Sequence, residues 1–239
     1  MKKLLILSII LFSLSLNAGE ILLVDNNYIQ SYKGQTGRWE NISSSAVLNR
    51  IVERYGSSVD LVREINGRIN YNTYLFIPYS DDYLVELTGS GRVKSERILS
   101  ENDFFIWPVN DLERISSAFG MRNGRLHCGI DLPAPRGTPV IAAKDGIVSY
   151  RGYSAGHGNS ILLQHRDNFY TRYSHNSVIL VRNGDYVKRG QVIALVGSTG
   201  NSTGNHLHFE IRYRDIPLDP LDFLPENETY SRAHLMRRP

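Results

Sequence analysis

The chain has 239 residues, of which 41% are hydrophobic and 21% are charged. This length fits one or two domains, and this composition excludes a wholly disordered protein. Lys and Arg together exceed Asp and Glu by only three residues, which excludes the strongly basic surface of a dedicated nucleic-acid binder. Since Cys128 is the only cysteine, the chain cannot form an internal disulfide, and its stability must come from a hydrophobic core.

The N-terminal segment 1–18 has the layout of a secretory signal peptide. Lys2 and Lys3 precede an uncharged apolar run, Leu4–Leu16, and Asn17-Ala18 follows it. The run is shorter than the roughly 20 apolar residues that a transmembrane helix needs. We therefore expect this segment to be removed and the mature protein to be exported without a stable transmembrane anchor. The alternatives for this run are an uncleaved N-terminal anchor and a buried first strand.

Residues 44–66 have the periodicity of two helices. The apolar residues of the first one recur at helical spacing: Val47, Leu48, Ile51, Val52 and Tyr55. Gly56 is a natural end for this helix. A second helix is predicted over Ser58–Ile65, with Ser57 and Asp60 as its capping box.

A strand and a linker are predicted next. The run Tyr74–Ile77 is typical of a strand, and Pro78 ends it. Residues 80–103 contain Asp81-Asp82 and a Gly-Ser-Gly sequence, a composition that indicates a linker, although Tyr83–Leu87 is also compatible with a strand.

From about residue 104 the pattern changes to short strands rich in β-branched and aromatic residues. The predicted strands are Val140–Ala143, Gly146–Arg151, Ser160–His165, Tyr170–Ser174, Val178–Val181 and Gln191–Val196. Asp145-Gly146 and Asn183-Gly184-Asp185 are predicted to be hairpin turns between them. Because no long helical pattern interrupts these segments, we expect an antiparallel β domain.

Six of the seven histidines lie between residues 127 and 208, in three local patterns. His127 and Asp131 are four residues apart in what reads as a bent strand, with Cys128 pointing away from them. His206, His208 and Glu210 share one face of another strand. The opposite face of that strand is predicted to be core, formed by Leu207, Phe209 and Ile211.

The third pattern, Tyr173-Ser174-His175, also reads as a strand. A single histidine in such a place is usually a hydrogen-bonded structural residue, but three patterns together favour a metal site. His127 and Asp131, with a histidine of the His206 strand, offer the N and O ligands of a catalytic zinc, whose fourth position holds an activated water. Spacing alone leaves either His206 or His208 as the ligand, and the remaining histidines could transfer protons.

An ordered series of motifs resembles the LytM/lysostaphin-type zinc endopeptidases over roughly residues 104–225. The motifs are Phe119-Gly-Met-Arg122, Arg125-Leu-His127-Cys-Gly-Ile-Asp131, Gly137-Thr-Pro-Val140, Ala143-Lys-Asp-Gly146, Tyr173-Ser-His175, Gly184-Asp-Tyr-Val-Lys-Arg-Gly-Gln191, Gly200-Asn-Ser-Thr-Gly-Asn-His-Leu-His-Phe-Glu210 and Asp219-Pro220. This resemblance implies one Zn²⁺ per chain, bound by His127, Asp131 and His208, with His175 and His206 as catalytic residues.

The resemblance also implies a function. We expect an exported zinc metalloendopeptidase, periplasmic or secreted and associated with the cell wall, that hydrolyses peptide cross-links or stem peptides of bacterial peptidoglycan through a zinc-activated water. His157 stands where the family usually has an aromatic residue, and we expect it at the rim of the groove. His165 is expected to be structural, and Glu210 either supports the metal ligand or lies at the surface.

The helical segment has its own resemblance. Leu48-x-x-Ile51, Tyr55-Gly56, Val62, Asn66 and Leu75-x-Ile77-Pro78 resemble a LysM module. Such a module is a βααβ unit that binds glycans containing N-acetylglucosamine, so peptidoglycan glycan is a second expected partner. The usual Gly-Asp-Thr is replaced here by Ser45-Ala46-Val47, and the alternative is a small helical hairpin without a ligand.

The expected fold is mainly β: an antiparallel β-sheet LytM-type peptidase domain preceded by a small βααβ LysM-like module. The expected layout is a signal peptide (1–18), an N-terminal segment (19–40), the LysM-like module (41–79), a linker (80–103), the zinc peptidase domain (104–226) and a basic tail (227–239). One alternative function is a non-catalytic LytM-domain regulator that activates a separate cell-wall amidase, but such a protein would lack several of the five site residues. Another is a carrier module of the biotinyl or lipoyl type, which needs an exposed attachment lysine instead of paired histidines.

Overall fold

The computed structural model of the chain describes residues 20–24, 27–90, 93–97, 105–110, 112 and 114–225. The predicted signal peptide and basic tail lie outside these residues. The chain divides into two compact units: residues 1–100 with 121–126, and residues 101–120 with 127–239. Within the described ranges, no helix is long and apolar enough to cross a membrane.

The first unit combines short strands with three helices in its described residues. Its elements are β1 (Glu20–Val24), β2 (Asn27–Tyr28), β3 (Gln30–Tyr32), β4 (Gln35–Ile42), α1 (Ser45–Arg54), α2 (Val59–Asn66), β5 (Thr73–Pro78), α3 (Asp81–Gly89) and β6 (Val93–Arg97). They form two antiparallel sheets, with strand orders β2–β1–β6 and β3–β4–β5. The order β4–α1–α2–β5 is the strand–helix–helix–strand order expected from the sequence, but its first strand begins at Gln35, ahead of the predicted start at residue 41.

The first two helices lie where the sequence predicts them. Ser44 caps α1, because its Oγ accepts the Val47 N–H at 3.3 Å. Gly56 follows the helix with a φ of 63°, the left-handed conformation in which glycine ends many helices. The capping box predicted for α2 is wrong by one residue. The cap is Ser58, whose backbone is extended and whose Oγ accepts the Leu61 N–H at 3.1 Å.

The segment predicted as a linker contains a helix, α3, so the strand considered for Tyr83–Leu87 is wrong. Ser80 caps this helix by accepting the Tyr83 N–H at 3.1 Å. The two aspartates that suggested a linker lie in its first turn, where the helix dipole favours negative charge. Leu84 and Leu87 are three residues apart, a helical spacing, and both are buried in the core of the unit.

Asn66 ties α2 to β5 inside the core of the first unit. Its amide nitrogen donates to the carbonyls of Val62 at 2.7 Å and Phe76 at 2.8 Å, and its amide oxygen accepts the Phe76 N–H at 2.8 Å. The side chain is 3% exposed. The apolar residues that close the core around it are Ile29, Ile42, Leu48, Val52, Tyr55, Val62, Leu75, Ile77, Tyr79, Leu84 and Leu87.

The second unit is an antiparallel β structure. A hairpin of β7 (Gly120–Arg122) and β8 (Arg125–His127) precedes its other strands in the chain, and residues 121–126 of this hairpin belong to the first unit. Its further strands are β9 (Ile130–Pro133), β10 (Pro139–Ile141), β11 (Gly146–Ser154), β12 (Gly158–Gln164), β13 (Phe169–Asn176), β14 (Val178–Ile179), β15 (Tyr186–Val187), β16 (Val192–Leu195), β17 (His206–Tyr213) and β18 (Ile216–Leu218). Single 3-10 turns occupy Arg166–Asn168 and Pro220–Asp222.

Two sheets build this unit, and the six strands predicted from the sequence all belong to them. A seven-stranded sheet has the order β15–β11–β12–β13–β17–β18, with β9 also paired to β17, and a three-stranded sheet has the order β10–β16–β14. Every pairing in both sheets is antiparallel. The mainly β, antiparallel fold class is therefore confirmed.

The two predicted hairpin turns join strands that are not neighbours, so their hairpin assignment is wrong. Asp145 separates β10 from β11, which pair in different sheets. Its carboxylate accepts the Arg189 N–H at 2.6 Å and the Tyr186 hydroxyl at 3.2 Å, and it thereby fixes a longer connection. Asp185 likewise closes a local turn by accepting the Arg182 N–H at 2.8 Å, between strands that pair elsewhere.

Strand β17 pairs with β13 on one side and with β18 and β9 on the other, and it orders the side chains that matter for the site. Its alternation is as predicted: Leu207, Phe209 and Ile211 are fully buried on the core face. The other face carries its polar residues. In register with His208 are Ser174 of β13 on one side and Asp131 of β9 on the other.

Candidate metal centre

Three side chains bring their ligand atoms together on the polar face of β17. The distances are 3.1 Å from His127 Nε2 to Asp131 Oδ1, 3.0 Å from His127 Nε2 to His208 Nδ1, and 2.9 Å from His208 Nδ1 to Asp131 Oδ1. The three atoms form a nearly equilateral triangle. The sequence-predicted ligand residues are thus brought together, and His206 is not the histidine inside the triangle.

The bend between β8 and β9 makes this arrangement possible. Gly129 lies in the bend, and a Cβ at this position would collide with the carbonyl oxygen of Phe209 in β17. A glycine therefore lets the backbone approach β17 closely enough for His127 and Asp131 to reach His208. Two backbone hydrogen bonds also hold Asp131 of β9: its N–H donates to the Ser117 carbonyl at 2.9 Å, and its carbonyl accepts the Ser116 N–H at 3.0 Å.

The nitrogens of the two ligand histidines that face away from the triangle are also occupied. Nδ1 of His127 donates to the carbonyl of Ala118 at 2.8 Å, which leaves the Nε2 lone pair available. Nε2 of His208 lies 3.1 Å from Oε1 of Glu210, which favours the Nδ1 lone pair toward the triangle. Both histidines therefore present the nitrogen that a metal would bind.

The electrostatics of the triangle are those of a tightly coupled buried group. Burial works to raise the pKa of Asp131, but hydrogen bonds from His127 and His208 outweigh it and hold that pKa well below its usual range. Burial works to lower the pKa of His208, but its hydrogen bonds to Asp131 and Glu210 raise the pKa to about 9. The Asp131 carboxylate is therefore ionised, and a metal ion that binds here would displace the proton on Nδ1 of His208.

The donor set fits zinc. Two imidazole nitrogens and one carboxylate oxygen are the ligands of many catalytic zinc sites, and three protein ligands leave one position open. Atoms spaced 2.9–3.1 Å apart suit a single ion with ligands at about 2.0–2.2 Å. A second, looser group of His157, His208 and Glu210 has ligand atoms within 4.8 Å of one another, but its carboxylate is already paired with Arg212 at 2.8 Å.

His175 and His206 stand beside the triangle, with their ring centroids 4.7 Å apart and their ring planes tilted by 50°. Nδ1 of His175 donates to the carbonyl of Thr199 at 2.7 Å, and Nδ1 of His206 donates to the carbonyl of Gly204 at 2.9 Å. Each Nε2 is therefore left as a proton acceptor. Nε2 of His206 lies 3.8 Å from Oδ1 of Asp131. Burial lowers the pKa of His175, which favours its neutral form.

The orientation of His175 differs from simple strand alternation. Tyr173 is fully buried on the core face against Phe209, with ring centroids 5.4 Å apart, and alternation would place His175 on that face too. Instead, His175 has a φ of 63°, a left-handed conformation that is strained by about 1–3 kcal/mol in a residue with a side chain. The pairing of β12 with β13 is also irregular at this end. The turned backbone brings the imidazole to the site.

The other singled-out residues have varied surroundings. His157 is half-buried, with its ring centroid 5.7 Å from that of His208, and burial lowers its pKa to about 4. His165 is buried, and both its ring nitrogens have partners, the Asp145 carbonyl at 2.8 Å and the Thr171 hydroxyl at 2.7 Å. Burial raises the pKa of the Cys128 thiol to about 12, so it is not a thiolate ligand.

Glu210 is 1% exposed, so the surface position considered for it is wrong. The sequence analysis also missed two arginines that contact it, Arg212 on the same strand and Arg172 on β13. The alternation of β17 contains a signal for Arg212, two residues further along the same face. Arg172 is opposite Glu210 only through the register of β13 and β17, which the sequence pattern does not reveal.

Comparisons with known proteins find similarity over the part of the chain that contains this centre. The sequence model of Peptidase family M23 matches residues 125–220. The DD-carboxypeptidase/endopeptidase Mpg of Neisseria meningitidis is 42% identical over 131 residues, which are 52% of this chain and 30% of that protein. The murein hydrolase activator NlpD of Escherichia coli is 41% identical over 121 residues, which are 50% of this chain and 31% of that protein. The chain thus spans less than a third of the length of these two relatives.

A solved structure is also similar to part of the chain. The catalytic domain of the antimicrobial peptidase lysostaphin from Staphylococcus simulans is 37% identical, and the match covers 46% of this chain and 91% of that domain with a TM-score of 0.44.

Proposed function

Because the chain belongs to peptidase family M23 through residues 125–220, we propose that it is a zinc metalloendopeptidase that hydrolyses peptide cross-links or stem peptides of bacterial peptidoglycan. The observation that carries this proposal is the convergence of three ligand atoms within 3.1 Å of one another, beside two histidines that are free to handle protons. The relative Mpg, named as a carboxypeptidase and endopeptidase, supports the reaction class.

His127, Asp131 and His208 would hold the zinc ion. When bound, zinc polarises a carbonyl and lowers the pKa of water, which supplies a nucleophile at neutral pH. The buried Asp131 carboxylate contributes one negative charge to the ligand set, and the Ala118 carbonyl and Glu210 keep the two imidazoles oriented.

His175 and His206 would move the proton. Each has its Nδ1–H fixed on a backbone carbonyl, so each can accept a proton only at Nε2, the nitrogen on the side of the site. A protonated Nε2 can then stabilise the oxyanion or donate to the departing amine.

Export and wall association complete the proposal. The predicted signal peptide of residues 1–18 supports a periplasmic or secreted location. For the LysM-like module of residues 41–79, we propose glycan binding. Beside α2 lies a cavity of about 580 Å³ that is lined partly by Arg63, Arg68 and Tyr71, and Tyr71 is 44% exposed.

Sedimentation with insoluble peptidoglycan tests the glycan part. Tyr71→Ala should leave more of the full chain in the supernatant, because an exposed aromatic ring is a typical stacking surface for sugars. Tyr153→Ala is the matched control, since this tyrosine is 67% exposed in the second unit. Equal sedimentation of wild type and both variants would remove the proposed role of the module.

One other function has a specific observation in its favour. The relative NlpD is named as a murein hydrolase activator, so a non-catalytic regulator of a separate amidase is the alternative. All five of His127, Asp131, His175, His206 and His208 are present in this chain and meet in one place, which supports the enzyme.

The deciding experiment incubates the zinc-loaded full chain with purified peptidoglycan and identifies the released fragments by mass spectrometry. An endopeptidase releases products with a cut peptide bond, and His206→Ala does not. A regulator releases nothing by itself. It increases the yield of products from an added cell-wall amidase, and the wild type and His206→Ala do so equally. That second outcome would overturn the proposed enzyme.

A further inference from the structure

Glu210 is a buried carboxylate that the proposed chemistry does not use directly. It is 1% exposed and lies two residues beyond His208, on the same face of β17. An ionised carboxylate removed from water is unfavourable unless other charges and hydrogen bonds compensate for it. Its contacts therefore indicate why the fold keeps it there.

The two oxygens of Glu210 have different partners. Oε1 lies 3.1 Å from Nε2 of His208. Oε2 accepts a hydrogen bond from Nη1 of Arg212 at 2.8 Å and lies 3.6 Å from Nε of Arg172. Two arginines thus approach one oxygen of the carboxylate, and the other oxygen contacts the imidazole.

Arg212 is itself held in place. Its Nη2 donates to the carbonyl of Asp215 at 2.5 Å, beyond the end of β17. The register of β13 with β17 places Arg172 directly across from Glu210. The carboxylate is therefore fixed from two strands, and it cannot turn away from His208 without losing a charged partner.

The two ligand histidines differ in what holds them. The outer nitrogen of His127 meets a neutral backbone carbonyl, that of Ala118, at 2.8 Å. The outer nitrogen of His208 meets a charged carboxylate. A carboxylate in this position fixes the tautomer and ring orientation of a metal-binding histidine and makes its other nitrogen a stronger ligand. His208 is thus the ligand whose strength depends on a replaceable side chain.

We propose that Glu210 is a positioning residue, which holds the proton of His208 on Nε2 and directs the Nδ1 lone pair at the metal, with Arg172 and Arg212 as the charges that keep the carboxylate in place. This proposal rests on the zinc site of the proposed function. It predicts that the affinity for the metal, and not only the stability of the fold, depends on Glu210.

The test measures zinc binding to the full chain by competition with a chromogenic chelator, alongside the melting temperature of the metal-free protein. Glu210→Asp keeps the charge near the arginines but draws the carboxylate back from His208 by one methylene. Glu210→Gln keeps the size but removes the charge. Both should weaken zinc binding by about 10–100-fold, the usual effect of losing the carboxylate partner of a ligand histidine.

Thr171→Val is the matched control. Thr171 lies next to Arg172 on β13, is fully buried and contacts His165 and Tyr173 through its hydroxyl, so its loss should lower the melting temperature and leave the zinc dissociation constant unchanged. An unchanged zinc affinity in folded Glu210→Asp would overturn the proposal. Equal weakening by Thr171→Val would also overturn it, because zinc affinity would then follow general loosening. A wild-type chain that binds no zinc would instead contradict the proposed function.

Discussion

The two units of the molecule both bury polar side chains, but they use them differently. In the first unit, Asn66 directs all three of its hydrogen bonds at backbone groups of α2 and β5. In the second unit, His127, Asp131 and His208 direct their polar atoms at one another. Buried polar groups usually find partners in the fold itself. A cluster whose ligand atoms converge on one point, with the outer nitrogens of both histidines already occupied, marks a binding site.

His165 and His208 allow the same comparison within the second unit. It is as buried as His208, at 6% exposure each. Both of its ring nitrogens are used, on the Asp145 carbonyl and the Thr171 hydroxyl, so it has no lone pair to offer. Burial of a histidine therefore says little about function, whereas the partner of each ring nitrogen says a great deal.

Removing the carboxylate of the triangle should have the largest effect. Asp131→Ala leaves only two imidazoles, and a catalytic zinc site normally has three protein ligands. We expect the zinc content to fall to a small fraction of one ion per chain and peptide hydrolysis to disappear. Plasma emission spectroscopy on the dialysed protein measures the zinc directly. Retention of a full ion by this variant would show that the ligand assignment is wrong.

Removing the strained histidine should have the next largest effect. His175→Ala should keep its zinc and lose hydrolysis by roughly 10²–10⁴-fold, the usual contribution of a general acid–base or oxyanion-stabilising group. The double variant with His206→Ala should lose less than the product of the two single effects, because both side chains act on one transition state. A His175→Ala protein that hydrolyses at the wild-type rate would exclude His175 from catalysis.

Removing the buried asparagine of the first unit should have the opposite result, which is lower stability with unchanged zinc content. Asn66→Ala leaves the buried Phe76 N–H without its partner, which should destabilise the first unit by about 1–3 kcal/mol. Urea unfolding in a Trp107→Phe background measures this, because Trp39, 1% exposed in the first unit, is then the only tryptophan. Zinc content should not change. Loss of zinc at unchanged stability would contradict the structural role of Asn66 and the assignment of metal binding to the second unit.

The smallest effect is expected at Cys128, which lies between two proposed ligands in sequence. Its thiol is not among the ligand atoms that converge in the described structure, and its raised pKa keeps it protonated. Cys128→Ala should therefore keep the wild-type zinc affinity in chelator competition. A marked fall in that affinity would show that the sulfur takes part in the centre.

The parts of the fold and site that the sequence predicts are those with a local signal. Alternation along β17 identifies the core face of Leu207 and the polar face of His208. The helix of residues 81–89 is missed, because its two aspartates and following glycines resemble a linker until the burial of Leu84 and Leu87 is known. Such burial depends on contacts far away in the chain.

Two features of the site depend on tertiary structure in the same way. The turn of His175 out of the core face requires a left-handed φ, which no residue pattern specifies for a histidine. The approach of Arg172 to Glu210 follows from strand register. The chemical types and strand faces of the site are thus readable from the sequence, but the orientation of individual rings and the charges behind them are not.

The central claim is that neighbouring histidines on one strand face have separate tasks, His208 binding the metal and His206 moving the proton. Zinc content and hydrolysis rate measured together on His206→Ala and His208→Ala test this most directly. We predict that His206→Ala keeps one zinc per chain, with hydrolysis reduced by roughly 10²–10⁴-fold, and that His208→Ala loses both. A His206→Ala protein without zinc, or a His208→Ala protein with a full ion, would contradict the account.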